Sequence, residues 1–173
     1  MCVFAMVIRE IRERLPDCDV EVLIPDFKGD RPSLDIVLDA APDVLNHNTE
    51  TVIRLQREIR TAASYGRSLA LLGRAKRAGS RLVKSGLIVG MGETKDEVLS
   101  ALADLRAVGV DIVTIGQYLR PTARHRTVSR YVHPDEFAEY KVVGEGLGLP
   151  HVESGPLVRS SYHAKEATAA TVG

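Results

Sequence analysis

"KSGLIVGMGE", Lys84 to Glu93, is the stretch on which the fold turns. Its centre, Gly86 to Met91, is apolar throughout, and "DIVTI" at Asp111–Ile115 is nearly so. A strand with one face in water alternates apolar and polar residues. A strand covered on both faces does not, and that is the habit of parallel sheets flanked by helices.

Outward from this stretch one unit recurs: a short apolar run, a polar or glycine-containing corner, then a segment with helical spacing. "VEVLIPDF" (Val20–Phe27) precedes it, as does "PDVLNHNTE" (Pro42–Glu50), which leads into the amphipathic "TVIRLQREIR". "VDIVTIGQYL" (Val110–Leu119) and a short run beginning at His151 follow it. "TKDEVLSALADLRAVG" reads as a helix: Thr94 and Glu97 form a capping box, and Val98, Leu102 and Leu105 keep helical spacing. Gly109 is placed as its left-handed cap. "HPDEFAEYKVV" starts a second helix at Pro134, with Asp135 and Glu136 at the positive end of its dipole and Phe137, Tyr140 and Val143 toward the core.

Four or five such units without tandem hairpins predict an α/β protein with parallel strands and outer helices, either an open sheet or part of a barrel. A complete eight-unit barrel takes about 250 residues. The 173 residues here allow an incomplete (β/α) barrel, expected over residues 1–164 as one domain. Residues 165–173, mostly small, read as a disordered tail.

Composition narrows the function classes. Apolar residues make up 45% and charged residues 27%, the balance of a globular protein. Basic and acidic residues both number 23, so no global field recruits nucleic acid or an anionic membrane. No apolar run approaches the roughly 18 residues of a membrane-spanning helix. The first residues have an apolar patch followed by charge, the reverse of a signal peptide, which predicts a cytoplasmic protein. Cys2 and Cys18 form neither a disulfide framework nor a CxxC metal clip.

In βα architectures the C-terminal strand ends converge on one face, where sites are built. Here those ends carry Asp26, then Asn46, His47 and Asn48, then Gly90, Gly92 and Glu93, then Gln117, Tyr118 and Arg120. Together they point to a polar ligand above the sheet. Gly90 and Gly92 lack the third glycine of a dinucleotide loop, so they make either a tight corner or a close backbone approach to a flat ligand. His47 has no second histidine or cysteine at metal-ligand spacing. Arg120, Arg124, His125, Arg126 and Arg130 crowd one loop, which reads either as a solvated charged loop or as a binder of phosphate, carboxylate or an acidic partner. "GPLVRSSYHA" (Gly155–Ala164) admits a capped turn beside an arginine, a serine nucleophile without an elbow motif, or a serine oxygen on a metal.

Taken in order, "VEVLIPDF", "PDVLNHNTETV", "KSGLIVGMGET", "DIVTIGQYLRPT", "RYVHPDEF" and "GPLVRSSYHA" strongly resemble lipoyl synthase, from about Phe4 to Ala164. The resemblance implies a radical S-adenosylmethionine enzyme with an incomplete (β/α) barrel. Such an enzyme inserts two sulfur atoms into an octanoyl chain on a lysine of a lipoyl-domain protein. It implies two 4Fe-4S clusters, one that cleaves S-adenosylmethionine and an auxiliary one consumed as the sulfur source. By the same resemblance Ser161 is a ligand of the auxiliary cluster, with Ser160 the alternative, and Arg159 lies beside it. Ile88, Val89 and Gly90 contact the cofactor's adenine, while Asn46, Asn48 and Gln117 give polar contacts to the cofactor.

One departure stands out. The family's CxxxCxxC motif and three further cysteines, all N-terminal in the family, have no counterpart in Cys2 and Cys18. The chain therefore reads as the C-terminal portion of such an enzyme, inactive alone, with an N-terminal half missing or supplied by a separate chain. The alternative is a non-catalytic α/β nucleotide- or anion-binding module derived from it.

Overall fold

The computed structural model describes residues 2–161. The expected tail at 165–173 lies outside these residues, as do Tyr162 and His163.

Five strands form one sheet in the order of the chain: β1 (Glu21–Leu23), β2 (Val44–Asn46), β3 (Leu82–Val89), β4 (Ile112–Gln117) and β5 (His151–Ser154). Every neighbouring pair is parallel. Doubly wound sheets reverse their strand order at a switch point, whereas a barrel adds each strand beside the last. The sheet here never reverses and does not close. It is an incomplete (β/α) barrel.

Alternation along the strands separates two faces. Val22, Leu45, Val83, Leu87, Val113, Ile115 and Val152 turn to the helices and join one large core. That core takes Leu34 and Val37 from α2 (Arg31–Leu38), Leu72 and Ala75 from α4 (Tyr65–Arg77), Leu102 and Leu105 from α5 (Lys95–Ala107), and Phe137 and Tyr140 from α6 (Pro134–Gly146). Removing each such valine, leucine, isoleucine or phenylalanine side chain from water contributes roughly 1.5–3 kcal/mol. On the other face Val44, Leu82 and Ile112 form a small separate patch. Above it are buried polar groups: Lys84 Nζ lies 3.0 Å from Glu21 Oε2, and Asn46 Nδ2 donates to Glu21 Oε1 at 2.8 Å.

Helix signals translate directly. Both hydrogen bonds of the Thr94–Glu97 capping box form, and Gly109 is left-handed at φ 85°. Phe137 and Tyr140 are buried, while Val143 is half-buried because the α6 turn closest to β5 is Gly144 against Val152. The amphipathic segment after β2 gives only a 3-10 turn (Ile53–Leu55) and one turn of α-helix, α3 (Gln56–Ile59). The connecting helix is α4, whose Arg- and Gly-rich sequence masks its apolar stripe of Tyr65, Leu71, Leu72 and Ala75. The chain opens with a further helix, α1 (Val3–Arg14), which buries Ala5 and Ile8.

Candidate functional site

A cavity of about 270 Å³ opens at the C-terminal ends of β2, β3 and β4. Asn48 enters it from the segment after β2, Gly86, Leu87 and Ile88 from β3, and Thr114, Gly116 and Gln117 from β4. Val158, Arg159 and Ser160 close one side, so the C-terminal segment folds back over the mouth. Gly155 N–H donates to Ile115 O at 3.0 Å, and Gln117 N–H to Pro156 O at 3.3 Å. Gly116 permits this crossing: a Cβ there would stand 2.2 Å from Val158 O.

The segment Asn46–Thr51 is shaped from behind. Gln56 Nε2 donates to Thr49 O and Thr51 O at 2.8 and 3.0 Å, and Arg60 donates to Asn48 O at 2.9 Å. Glu50, held at φ 66°, bridges to Leu87 of β3. A non-glycine residue in this region stores strain, which recurs at functional sites. Asn48 Oδ1 is buried without a hydrogen-bond partner among the described residues. Gly86 leaves room beside it, since a Cβ there would lie 2.8 Å from that oxygen and 2.9 Å from Thr114 Oγ1.

The cavity thus gathers Asn48, Ile88, Gln117, Arg159 and Ser160, with Ser161 exposed at the next position. Gln117 spends its amide on the loop before α6, with Nε2 on Arg130 O at 3.2 Å and Oε1 accepting from Val132 N–H at 2.9 Å. Asn46 lies one inward-facing step below Asn48, outside the cavity lining. Val89 faces the helix-side core. Gly90 stands at φ 105°; its N–H donates to Glu93 Oε1 at 2.5 Å and its carbonyl accepts from Ser129. Glu93 also accepts from Met91 N–H at 3.0 Å, so its buried carboxylate ties the Gly-Met-Gly corner. Asp26 pairs with Arg67 at 2.9 Å.

No family model matches the chain. Among curated proteins, the lipoyl synthase of Rubrobacter xylanophilus is 57% identical over 167 residues, which are 96% of this chain and 52% of the relative. That of Oleidesulfovibrio alaskensis is 56% identical over 161 residues, 93% of this chain and 55% of the relative. Over nearly its whole length the chain is similar to lipoyl synthases. It spans about half the length of the curated relatives it matches.

Solved structures agree on the fold alone. Methylornithine synthase (PylB) superposes with a TM-score of 0.63 at 17% identity, covering 93% of this chain and 56% of that one. The radical S-adenosylmethionine methyltransferase TsrM from Kitasatospora setae gives 0.50 at 18% identity, over 67% of this chain and 24% of that one. Among the described residues no helix is long and apolar enough to cross a membrane.

Glu50, Thr114, Gly86 and Gly116 join the site on structural grounds only. Period-two alternation would have set Gly86, Thr114 and Gly116 on one face, but nothing local marks Glu50, whose backbone conformation places it.

His47 turns away from the cavity. Its Nδ1 contacts Ile24 O and its Nε2 contacts Ser68 Oγ, both at 2.8 Å. Burial, with Arg60 adding to it, holds the imidazole below its usual value near 6.5, against the opposing Ile24 bond and Asp26. A folded-state value below the unfolded one contributes full stability above about pH 6.5, which is lost as pH falls from there toward the folded value. The denaturant midpoint is expected to fall from pH 7 to pH 5, with a smaller slope in His47→Gln. Equal slopes in the two proteins would contradict a buried neutral His47.

Proposed function

We propose that this chain is the C-terminal portion of a lipoyl synthase, and that the completed protein inserts sulfur into an octanoyl chain on a lipoyl-domain protein. The observation carrying this reading is 52–57% identity to lipoyl synthases over 91–98% of the chain. The cavity at the strand ends supports it, because it lies where a barrel presents a ligand.

The residues present fit S-adenosylmethionine. Asn48 Oδ1 is a buried acceptor without a partner among the described residues, and Glu50 adds a carboxylate to the same lining. Both would accept hydrogen bonds from ribose hydroxyls. Ile88 would lie along the adenine, beside the backbone of Val89 and Gly90, while Gln117 frames the wall through its hold on Arg130 and Val132. Asn46 would support Asn48 from below. When bound, the cofactor supplies the radical chemistry that unactivated C–H bonds require and no side-chain base provides.

Neither 4Fe-4S cluster fits the residues of this chain. Cys2 is half-buried at the start of α1 and Cys18 is exposed. Among the described residues no group of three or more His, Cys, Asp or Glu side chains could hold a metal. Ser161 is the proposed serine ligand of the auxiliary cluster, with Ser160 the alternative and Arg159 beside it. The other ligands would come from an N-terminal half.

Titrating the chain with S-adenosylmethionine under NMR is expected to shift the amides of Gly86, Ile88 and Gly116. Asn48→Ala should weaken binding about tenfold, the size of one lost hydrogen bond of about 1–1.5 kcal/mol. Shifts confined to other surfaces, or an affinity untouched by Asn48→Ala, would remove the cofactor from this cavity.

A further inference from the structure

The connection from Tyr118 to His133 carries Arg120, Arg124, His125, Arg126 and Arg130, and no Asp or Glu lies between Gly116 and Pro134. In a chain of zero net charge this is a concentrated positive patch. It is also fastened. Ser129 N–H donates to Gly90 O at 2.8 Å, Tyr118 Oη to Arg126 O at 2.9 Å, and Arg126 Nε to Met91 O at 3.0 Å.

Two of the arginines are neutralised within the chain. Arg126 pairs with Glu58 at 2.6 Å. Arg130 makes a two-pronged pair with Glu136 at 2.6 and 2.7 Å, and its hydrogen bonds hold that carboxyl well below its usual range, at about 2. The other two are not. Arg120 donates to the carbonyls of His125 and Ala123, and Arg124 meets no carboxylate among the described residues. Both are exposed. The patch begins at the cavity rim, since Leu119 and Pro121 line the cavity. Leu119 is 49% and Tyr131 75% exposed beside it.

We propose that this loop is the docking surface for an acidic face of the protein that carries the acyl chain, with Arg120 and Arg124 supplying charge and Leu119 and Tyr131 apolar contact. The inference rests on the functional reading above. An arginine and aromatic surface on an ordered loop has the composition of a protein interface. Two exposed guanidinium groups that do not line the cavity hold a small anion weakly, because water screens them. A protein presents several carboxylates at once, and the rim position brings its acylated lysine to the cavity mouth.

The test titrates the chain with an octanoylated bacterial lipoyl-domain protein and, separately, with a single-stranded DNA oligonucleotide. Affinity for the protein is expected to fall about tenfold from about 50 to about 300 mM salt, as screening shortens the reach of exposed charges. The double variant Arg120→Glu/Arg124→Glu should lose about tenfold at low salt. Arg9→Glu/Arg14→Glu on α1, with the same charge change, should lose none. Circular dichroism melting confirms that both variants fold. Equal binding by the loop variant, no binding of the protein at all, or tighter binding of the oligonucleotide would overturn the proposal. Failure of the functional reading shows elsewhere. A completed enzyme that makes lipoyl product with an unchanged KM in the loop variant sinks only the docking surface, whereas a completed enzyme that makes none sinks the reading itself.

Discussion

Ser161→Ala, in a protein completed with the N-terminal half of a relative, is expected to abolish lipoyl product. A serine oxygen on an iron–sulfur cluster would bind as the alkoxide, its proton drawn off by the metal. Alanine offers no donor atom, so the variant loses the bond outright. Changes to groups that merely orient a ligand cost about 10–100-fold, and loss of the ligand should exceed that. Ser160 lines the cavity and Ser161 follows it, exposed. Ser160→Ala should retain measurable product. Mass spectrometry of the octanoyl substrate gives the activity, and the electron paramagnetic resonance of the reduced auxiliary cluster gives a readout independent of turnover. Full activity in Ser161→Ala with loss in Ser160→Ala would move the ligand one residue back.

Gly116→Val has the second largest expected effect, and it is measurable in this chain as it stands. The added Cβ would fall 2.2 Å from the carbonyl oxygen of Val158, which is backbone and cannot swing aside. The segment from Gly155 to Ser161 must then leave the mouth. It would give up the bonds from Gly155 to Ile115 and from Gln117 to Pro156, with the burial of Val158. Overpacking of this kind typically costs about 1–3 kcal/mol. Two readouts should move together: a lower denaturant midpoint and rapid tryptic cleavage after Arg159. Retained protection at Arg159 would mean that the segment does not pack on Gly116.

The parallel sheet was legible because "GLIVGM" and "DIVTI" lack alternation, and the helices at Thr94 and Pro134 because their caps are written locally. The connection between β2 and β3 was not legible. Its amphipathic start, Thr51–Arg60, is consumed by Gln56 and Arg60, which turn inward to hold the carbonyls of Asn48, Thr49 and Thr51. A helical pattern therefore serves a loop, and the helix forms later, at Tyr65.

The site divides in the same way. Asn48 and Gln117 sit at strand ends, where a βα pattern directs attention, and Ile88 was implied by the resemblance alone; all three line the cavity. Their environments were not readable. Gln117 looks like a free polar group in sequence, yet its amide is committed to backbone 13 and 15 residues away. Asn46 and Asn48 look equivalent, and the Oδ1 of each lacks a partner among the described residues, but Asn46 Nδ2 is drawn down to Glu21 whereas Asn48 lines the cavity. Gly86 and Gly116 matter for the side chain they lack, which shows only when their neighbours are in place.

The central claim, that this chain completes a lipoyl synthase, is tested most directly by joining it to the N-terminal half of the Rubrobacter xylanophilus relative. The joined protein is reconstituted with iron and sulfide and given S-adenosylmethionine, a reductant and an octanoyl-lysine peptide. Mass spectrometry should find the octanoyl chain carrying two added sulfur atoms. A joined protein that holds both clusters and cleaves S-adenosylmethionine, yet leaves the octanoyl chain without sulfur, would contradict the claim.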